Sequence, residues 1–316
     1  MSTAIQIRVE EINALEPAKI VESPKVEQKF IQMYNAIHGT DKGVQMYQKE
    51  VFNFQKVLQE NPALQECSKM SLYGCFLDMA VNGLSLDPTG RPHCYLIPRS
   101  TKTGYKDEKG NDIYEKRASV SVTGYGELVM RMRAGQIKYA DNPVVVYEGD
   151  VFSINLDQGI KKITYSAAIP RKSNKIVGAF IRIVRNDGSE DYQWLLEGDI
   201  DRLKGFSERA NSYWDKNARK RVIGKANELY SSNGGQIDPG FLENKMIKHA
   251  FDAYPKVKIG KFTNMQSLEE PEQEIDYGIE EGEAEVINNG FDEPETVQQP
   301  EIVQPAVTVE DEDEGW

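Results

Sequence analysis

The spacing of large apolar residues changes partway along this chain, and that change constrains the fold more than any other feature. From Pro24 to Asn82 apolar side chains recur every three or four residues, the period that lines one face of a helix. Val26, Phe30, Met33, Tyr34 and Ile37 follow Pro24 and stop at Gly39, a helix with proline at its start and glycine at its end. Val44, Tyr47, Val51, Phe54 and Leu58 mark a second helix ended by Asn61-Pro62, and Cys67 to Val81 supplies a third closed by Asn82-Gly83. Residues 1–23 show no clear period and are expected to form a flexible N-terminal arm or a short helix.

From His93 the period shortens. His93 to Pro98 and Ala118 to Thr123 read as strands joined by a polar excursion, Ser100 to Arg117, and Gly124 to Ala134 reads as a helix stopped by Gly135. Val144 to Glu148 and Val151 to Leu156 flank Gly149-Asp150 as further strands, and Ile176 to Val184 with Tyr192 to Leu196 form a hairpin around Asn186-Asp187-Gly188. Asp199 to Ala210 and Asp238 to Tyr254 read as helices, and folding is expected to stop near Met265. This order predicts an α+β fold: a helical N-terminal part, a mixed core with a hairpin, and C-terminal helices, together spanning 24–266.

The net charge of -12 conceals a division. Residues 267–316 hold 18 Asp and Glu and no Lys or Arg, whereas residues 1–266 hold 38 basic against 32 acidic residues, a net +6. A mildly basic body points to a polyanionic partner, although +6 over a body of this size is also ordinary, and charge alone leaves both readings open. Glu, Gln, Pro and Asp dominate 267–316, which is expected to be disordered because it cannot bury enough apolar surface to offset its ordering entropy. Cys67, Cys75 and Cys94 form no CxxC pair, so neither a disulfide framework nor a zinc site is indicated. With no leader-like start and no apolar run approaching a membrane span, the expected compartment is the reducing cytoplasm.

Catalytic chemistry finds little support. There is no GxxxxGK phosphate loop for ATP and no GxSxG nucleophile turn, and His38, His93 and His249 are not spaced as metal ligands. Asp199 and Asp201 stand where carboxylates cap a helix, a better account than a nuclease metal site, and Cys94 reads as a small core residue. The expectation is a protein without a catalytic site or cofactor, for which magnesium is possible but not indicated.

Several segments resemble one family in order and spacing. Gly83 to Arg99, GLSLDPTGRPHCYLIPR, presents Gly83, Leu84, Leu86, Pro88, Tyr95, Leu96 and Pro98; GYGELVMRMRAG presents Gly126, Leu128, Arg133 and Gly135; VYEGDVF, Val146 to Phe152, follows. LEGDIDRLKGFSERAN comes next, then Met246 and Lys248 on the final helix. Together they resemble the RecT family of phage single-strand annealing proteins, within the RecT/Redβ superfamily, over roughly Ser71 to Lys261. The family continues its last helix with several basic residues where this chain has His249, Ala250, Phe251, Asp252 and Ala253, though Lys256, Lys258 and Lys261 follow. The resemblance implies annealing of single-stranded DNA through a compact β-β-β-α core that assembles into rings or helical filaments. Implied partners are single-stranded DNA and the annealed duplex, further copies of the chain, a phage exonuclease and the host single-strand-binding protein.

An annealing protein must neutralise phosphates yet leave base edges free for the second strand, which calls for cations beside stacking groups. Candidates fall in three clusters: Arg99, Lys102, Lys106 and Arg117; Arg131, Arg133 and Lys138; and Lys204, Arg209, Lys216, Arg219, Lys220, Arg221 and Lys225, with Lys248 beyond them. Phe206, Tyr213 and Trp214 interleave with the third, as stacking platforms or as core, and the cluster itself reads as a DNA contact or a solvated face. Arg133 either meets phosphate or pairs with Glu148 or Asp150. Lys161, Lys162, Arg171, Lys172 and Lys175 suit loops facing DNA or a neighbouring subunit. The tail ends in acids and an aromatic, including Asp311, Asp313 and Trp316, resembling the tip of bacterial single-strand-binding proteins: it docks a partner, competes with DNA, or only solubilises. A passive DNA-coating protein and a phage structural protein remain as alternative readings.

Overall fold

Residues 5–215, 217–255, 257, 260–264, 277 and 279–280 are described by the structure, a computed structural model. The N-terminal part comprises β1 (Ile7–Arg8), α1 (Val9–Ala14), a 3-10 turn (Pro17–Glu22), α2 (Pro24–His38), α3 (Gly43–Glu60), α4 (Pro62–Gln65) and α5 (Lys69–Asn82). Helix α5 is buried on nearly every side, which is why it reads as apolar all round rather than on one stripe. Phe76 at its centre packs against Phe30 of α2 at 4.8 Å and Phe54 of α3 at 5.3 Å between ring centroids. The arm expected over 1–23 is corrected from Ile5 onward: Ile7, Ile12, Ile20 and Val21 all enter this core. They are spaced for a strand, a short helix and a 3-10 turn in succession, so no single period announces them.

Strands β2 (Cys94–Lys106) and β3 (Asp112–Val122) form one long antiparallel hairpin that runs from Cys94↔Val122 out to Lys106↔Asp112. The polar excursion expected between two short strands is the outer half of this hairpin. Both its faces are wet, so its sequence lacks the alternation that betrays a half-buried strand. Asp107 makes the turn, its carboxylate accepting from the amides of Lys109 at 2.9 Å and Asn111 at 2.8 Å.

The second part follows as α6 (Gly124–Arg133), β4 (Ile137–Ala140), β5 (Val144–Tyr147), β6 (Val151–Asp157), β7 (Ile160–Ser166), β8 (Ile176–Arg185), β9 (Glu190–Leu196) and α7 (Glu197–Ala210). After these come β10 (Tyr213–Asp215), β11 (Lys220–Val222), a 3-10 turn (Glu228–Tyr230) and α8 (Pro239–Ala250). Strand β8 is central: β9 pairs along one edge, and β4 and β5 pair with successive stretches of the other. Ala179, Ile181, Ile183 and Leu195 meet Leu242, Met246, Ile247 and Phe251 to make a second core. Although β5 and β6 flank Gly149-Asp150 as expected, β6 pairs with β7 in a separate two-stranded sheet. Helix α8 ends at Ala250, short of the expected Tyr254, with turns following.

After α8 the chain returns to the first core. Strand β12 (Thr263–Asn264) pairs parallel with β3 at Val120, and β13 (Ile279–Glu280) pairs parallel with β1. The anchor is Asp78 of α5, fully buried, which accepts hydrogen bonds from the Phe262 amide and Thr263 hydroxyl, each at 2.7 Å, and from the Tyr277 hydroxyl. Burial pushes the Asp78 carboxyl up to about 7 despite those donors. Folding therefore does not stop near Met265: Tyr277 is a core residue.

Candidate nucleic-acid interface

The densest sequence cluster is built on α7 and the β10–β11 hairpin. Residues 202–225 carry eight Lys and Arg against Glu208 and Asp215, a net +6 that equals the whole excess of residues 1–266. Helix α7 opens with the Asp199 carboxylate accepting from the Leu196 amide at 3.1 Å, which settles Asp199 as a helix cap. At its other end the Arg209 guanidinium lies 4.6 Å over the Phe206 ring, and both are exposed. Trp214 stands opposite Arg221, and Asp215 opposite Lys220, across the hairpin. Asp215 shapes the turn by accepting from the amides of Asn217 at 2.8 Å and Ala218 at 3.1 Å.

At the turn exit Arg219 holds φ +49°, a left-handed conformation that disfavours any residue with a Cβ. Phe206, Tyr213 and Trp214 are 53%, 58% and 63% exposed, so the core reading of these aromatics is excluded. Arg209, Arg219, Lys220 and Lys225 are exposed without a carboxylate partner among the described residues. Lys204 is half-buried on α7, and the Arg221 Nε is spent on the Ser212 hydroxyl at 2.7 Å.

The first cluster gathers on the outer β2–β3 hairpin, where Arg99 faces Arg117 across the ladder. Lys102 pairs with Asp112 at 2.8 Å and Arg117 with Glu115 at 2.6 Å, leaving Arg99 and Lys106 as the freer cations. Tyr105 and Tyr114 are exposed beside them.

The second cluster divides. Arg131 is 0% exposed, a correction to its placement on DNA: its guanidinium bonds Glu127 at 2.9 Å, Gln136 at 3.0 Å and the Pro255 carbonyl, and lies over Phe251. Arg133, two residues on, points elsewhere and donates to the Gly83 carbonyl, not to Glu148 or Asp150. Gly83 ends α5 at φ +64° with the Arg133 guanidinium where a Cβ would sit, so glycine serves both turn and contact. The loop after Gly83 is fixed from α3 by buried Glu50, which accepts from the Ser85 hydroxyl at 2.5 Å and the Leu86 amide at 3.0 Å. Gly126 lets α6 close on the start of β2, since a Cβ there would fall 1.9 Å from the His93 carbonyl oxygen. Lys138 is exposed on β4, and Lys248 is half-buried on α8.

Sequence reasoning passed over Lys245, one helical turn before Lys248; their spacing was the available signal. Lys161 pairs with Asp191 at 3.3 Å and lies over Trp194, and Arg171 stacks 3.6 Å over Tyr147, so that basic run is partly consumed by the fold. Among the described residues no helix is long and apolar enough to cross a membrane. Lys216, Lys256, Lys258, Asp311, Asp313 and Trp316 lie outside the described residues.

A family model described as RecT family matches residues 48–223, more than half of the chain. That span runs from within α3 to β11, and so takes in both the glycine-loop region around Gly83 and the exposed hairpin with Trp214. No curated protein matches the chain.

Proposed function

The chain belongs to the RecT family, proteins of phage-type recombination and single-strand annealing, and from that premise we propose that it grips single-stranded DNA without regard to sequence and anneals complementary strands without ATP. The observation that carries this reading is the surface of α7 and β10–β11, where exposed aromatics stand among Arg209, Arg219, Lys220 and Lys225, which have no carboxylate partner among the described residues. Cations neutralise the sugar-phosphate chain and Phe206, Tyr213 and Trp214 offer faces to bases, so binding needs no base-edge hydrogen bonds and those edges stay open to a second strand. Arg99 and Lys106 on the β2–β3 hairpin, with Arg133 and Lys138, extend the grip. Further copies of the chain, in a ring or helical filament, would present such surfaces in series, and a phage exonuclease and host single-strand-binding protein are the partners the family suggests.

Complementary oligonucleotides mixed with the protein, in the absence of any nucleotide cofactor, are expected to form duplex faster than alone. Trp214→Ala with Arg219→Ala should slow annealing and weaken binding to all sequences about equally. Duplex formation at the protein-free rate, with the strands bound, would reduce the protein to a passive coat.

A further inference from the structure

Helix α8 departs from the pattern of a buried helix at two positions. Leu242, Met246, Ile247 and Ala250 face the second core as expected, but Lys245 and Lys248, one turn apart, are drawn half under the surface beside them. Such burial is ordinary for a lysine whose amine reaches a carboxylate or carbonyl. Here neither amine does so among the described residues. Lys245 has only the face of Phe241, 5.2 Å away, and that ring is itself held edge-on by Tyr230 at 5.1 Å. Among the described residues the carboxylate whose charge reaches Lys248 is Glu127, already bonded by Arg131 at 2.9 Å.

Two half-desolvated like charges side by side are unfavourable to the free protein, because burial strips water from each and neither is compensated. Burial pushes both amines below the ordinary lysine value, and for Lys248 the Lys245 charge adds to that effect while Glu127 opposes it. The place is also fixed: Asn244, beside Lys245, accepts from the Gly124 amide at 2.7 Å and so pins α8 to the start of α6. A site that is rigid, positive and short of one anion has the properties of a phosphate seat.

We infer that Lys245 and Lys248 together seat one phosphodiester group of bound single-stranded DNA. This rests on the reading of the chain as a single-strand binder and adds to it a subsite away from the β10–β11 hairpin, with Lys245 as a contact residue. Bound phosphate would supply the missing counter-charge, so the two lysines oppose folding in the free protein and favour binding.

The test replaces both lysines in the full chain with methionine, which keeps the buried stem and removes the charge. Its comparator, Lys25→Gln with Lys42→Gln, removes the same charge from exposed positions. Fluorescence anisotropy with a single-stranded oligonucleotide across a salt series should show the methionine variant about fivefold weaker at 0.1 M salt, with a log–log salt slope flatter by about 0.7. Its thermal midpoint should rise above that of the unaltered chain, whereas lysines that merely pack would give a lower midpoint and unchanged affinity. Binding equal to the comparator's would overturn the seat while leaving the single-strand reading intact. No binding by the unaltered chain would remove both. An affinity difference that vanishes once the proteins are shortened after Glu280 would assign the pair to the chain's own carboxylates and overturn the seat.

Discussion

Arg131 and Arg133 sit two residues apart on α6, and their environments assign them opposite work. Arg131 is enclosed with Glu127, whose carboxyl burial pushes upward while Arg131 draws it back down. Removing the cation leaves that carboxylate desolvated, so Arg131→Met is expected to lose about 3–5 kcal/mol of stability, read as a lower urea midpoint. Arg133 is exposed and holds only the Gly83 carbonyl in the structure. Arg133→Ala should shift the urea midpoint much less than Arg131→Met does and should weaken binding of all single strands alike, seen as a flatter salt slope. A large drop in midpoint with an unchanged slope would instead make Arg133 a fastener of the Gly83 turn. Sequence alone could not separate the pair, because both stand in the last turns of one helix and differ only in which face of it is covered.

The segment from Gly260 to Glu280 is where element and sequence diverge most. Its apolar residues are few and scattered, yet Asp78, Asn82 and Tyr73 of α5 are committed to it: Asn82 accepts from the Gly260 amide at 3.0 Å, and Tyr73 donates to the Tyr277 carbonyl. A chain ended at Gln266, the boundary suggested by composition, should unfold at lower urea than one ended at Glu280, because it loses Tyr277 and leaves Asp78 short of a donor. The Asp78 carboxyl also carries a pH signature. Its folded value of about 7 lies above the ordinary carboxylate value, so the folded state holds the proton more tightly. Its contribution is full below about pH 4 and is lost as pH rises towards 7, on the order of 4 kcal/mol at most. Asp78→Asn should flatten the stability profile over that window; an unchanged slope would point to Glu50 and Glu127, whose carboxyls burial also raises.

Elements whose apolar residues share one period were legible: α2, α3, the β8–β9 hairpin and α7 fall within a few residues of their expected places. The outer β2–β3 hairpin, β7 and β10–β11 were not, since exposed strands carry no burial pattern to read. The site was legible to the extent that it is charge. Lys, Arg and aromatic residues over 202–225 could be seen in the sequence, whereas their exposure, the burial of Arg131 and the pairing of Lys102 and Arg117 arise only from contacts between distant segments.

Across the whole molecule, charge is distributed against the proposed activity, and the distribution can be tested. Residues 281–316 contain 12 Asp and Glu and no Lys or Arg, so a chain ended at Glu280 has a net charge of zero where the full chain has -12. A DNA strand approaching a chain of net charge -12 is repelled at long range, and a field of this kind acts mainly on encounter. The cut belongs after Glu280, since an earlier one also removes Tyr277 and confounds charge with folding. The shortened protein should bind single-stranded DNA faster and more tightly at low salt. That gain should shrink towards nothing as the Debye length falls from about 30 Å at 0.01 M to about 3 Å at 1 M salt, measured as association rates by stopped-flow. A gain that persists at high salt would require a short-range contact between 281–316 and the binding surface in place of a long-range field. No gain at any salt would mean that the two charge populations act independently, and that the acidic residues serve something other than the control of DNA access.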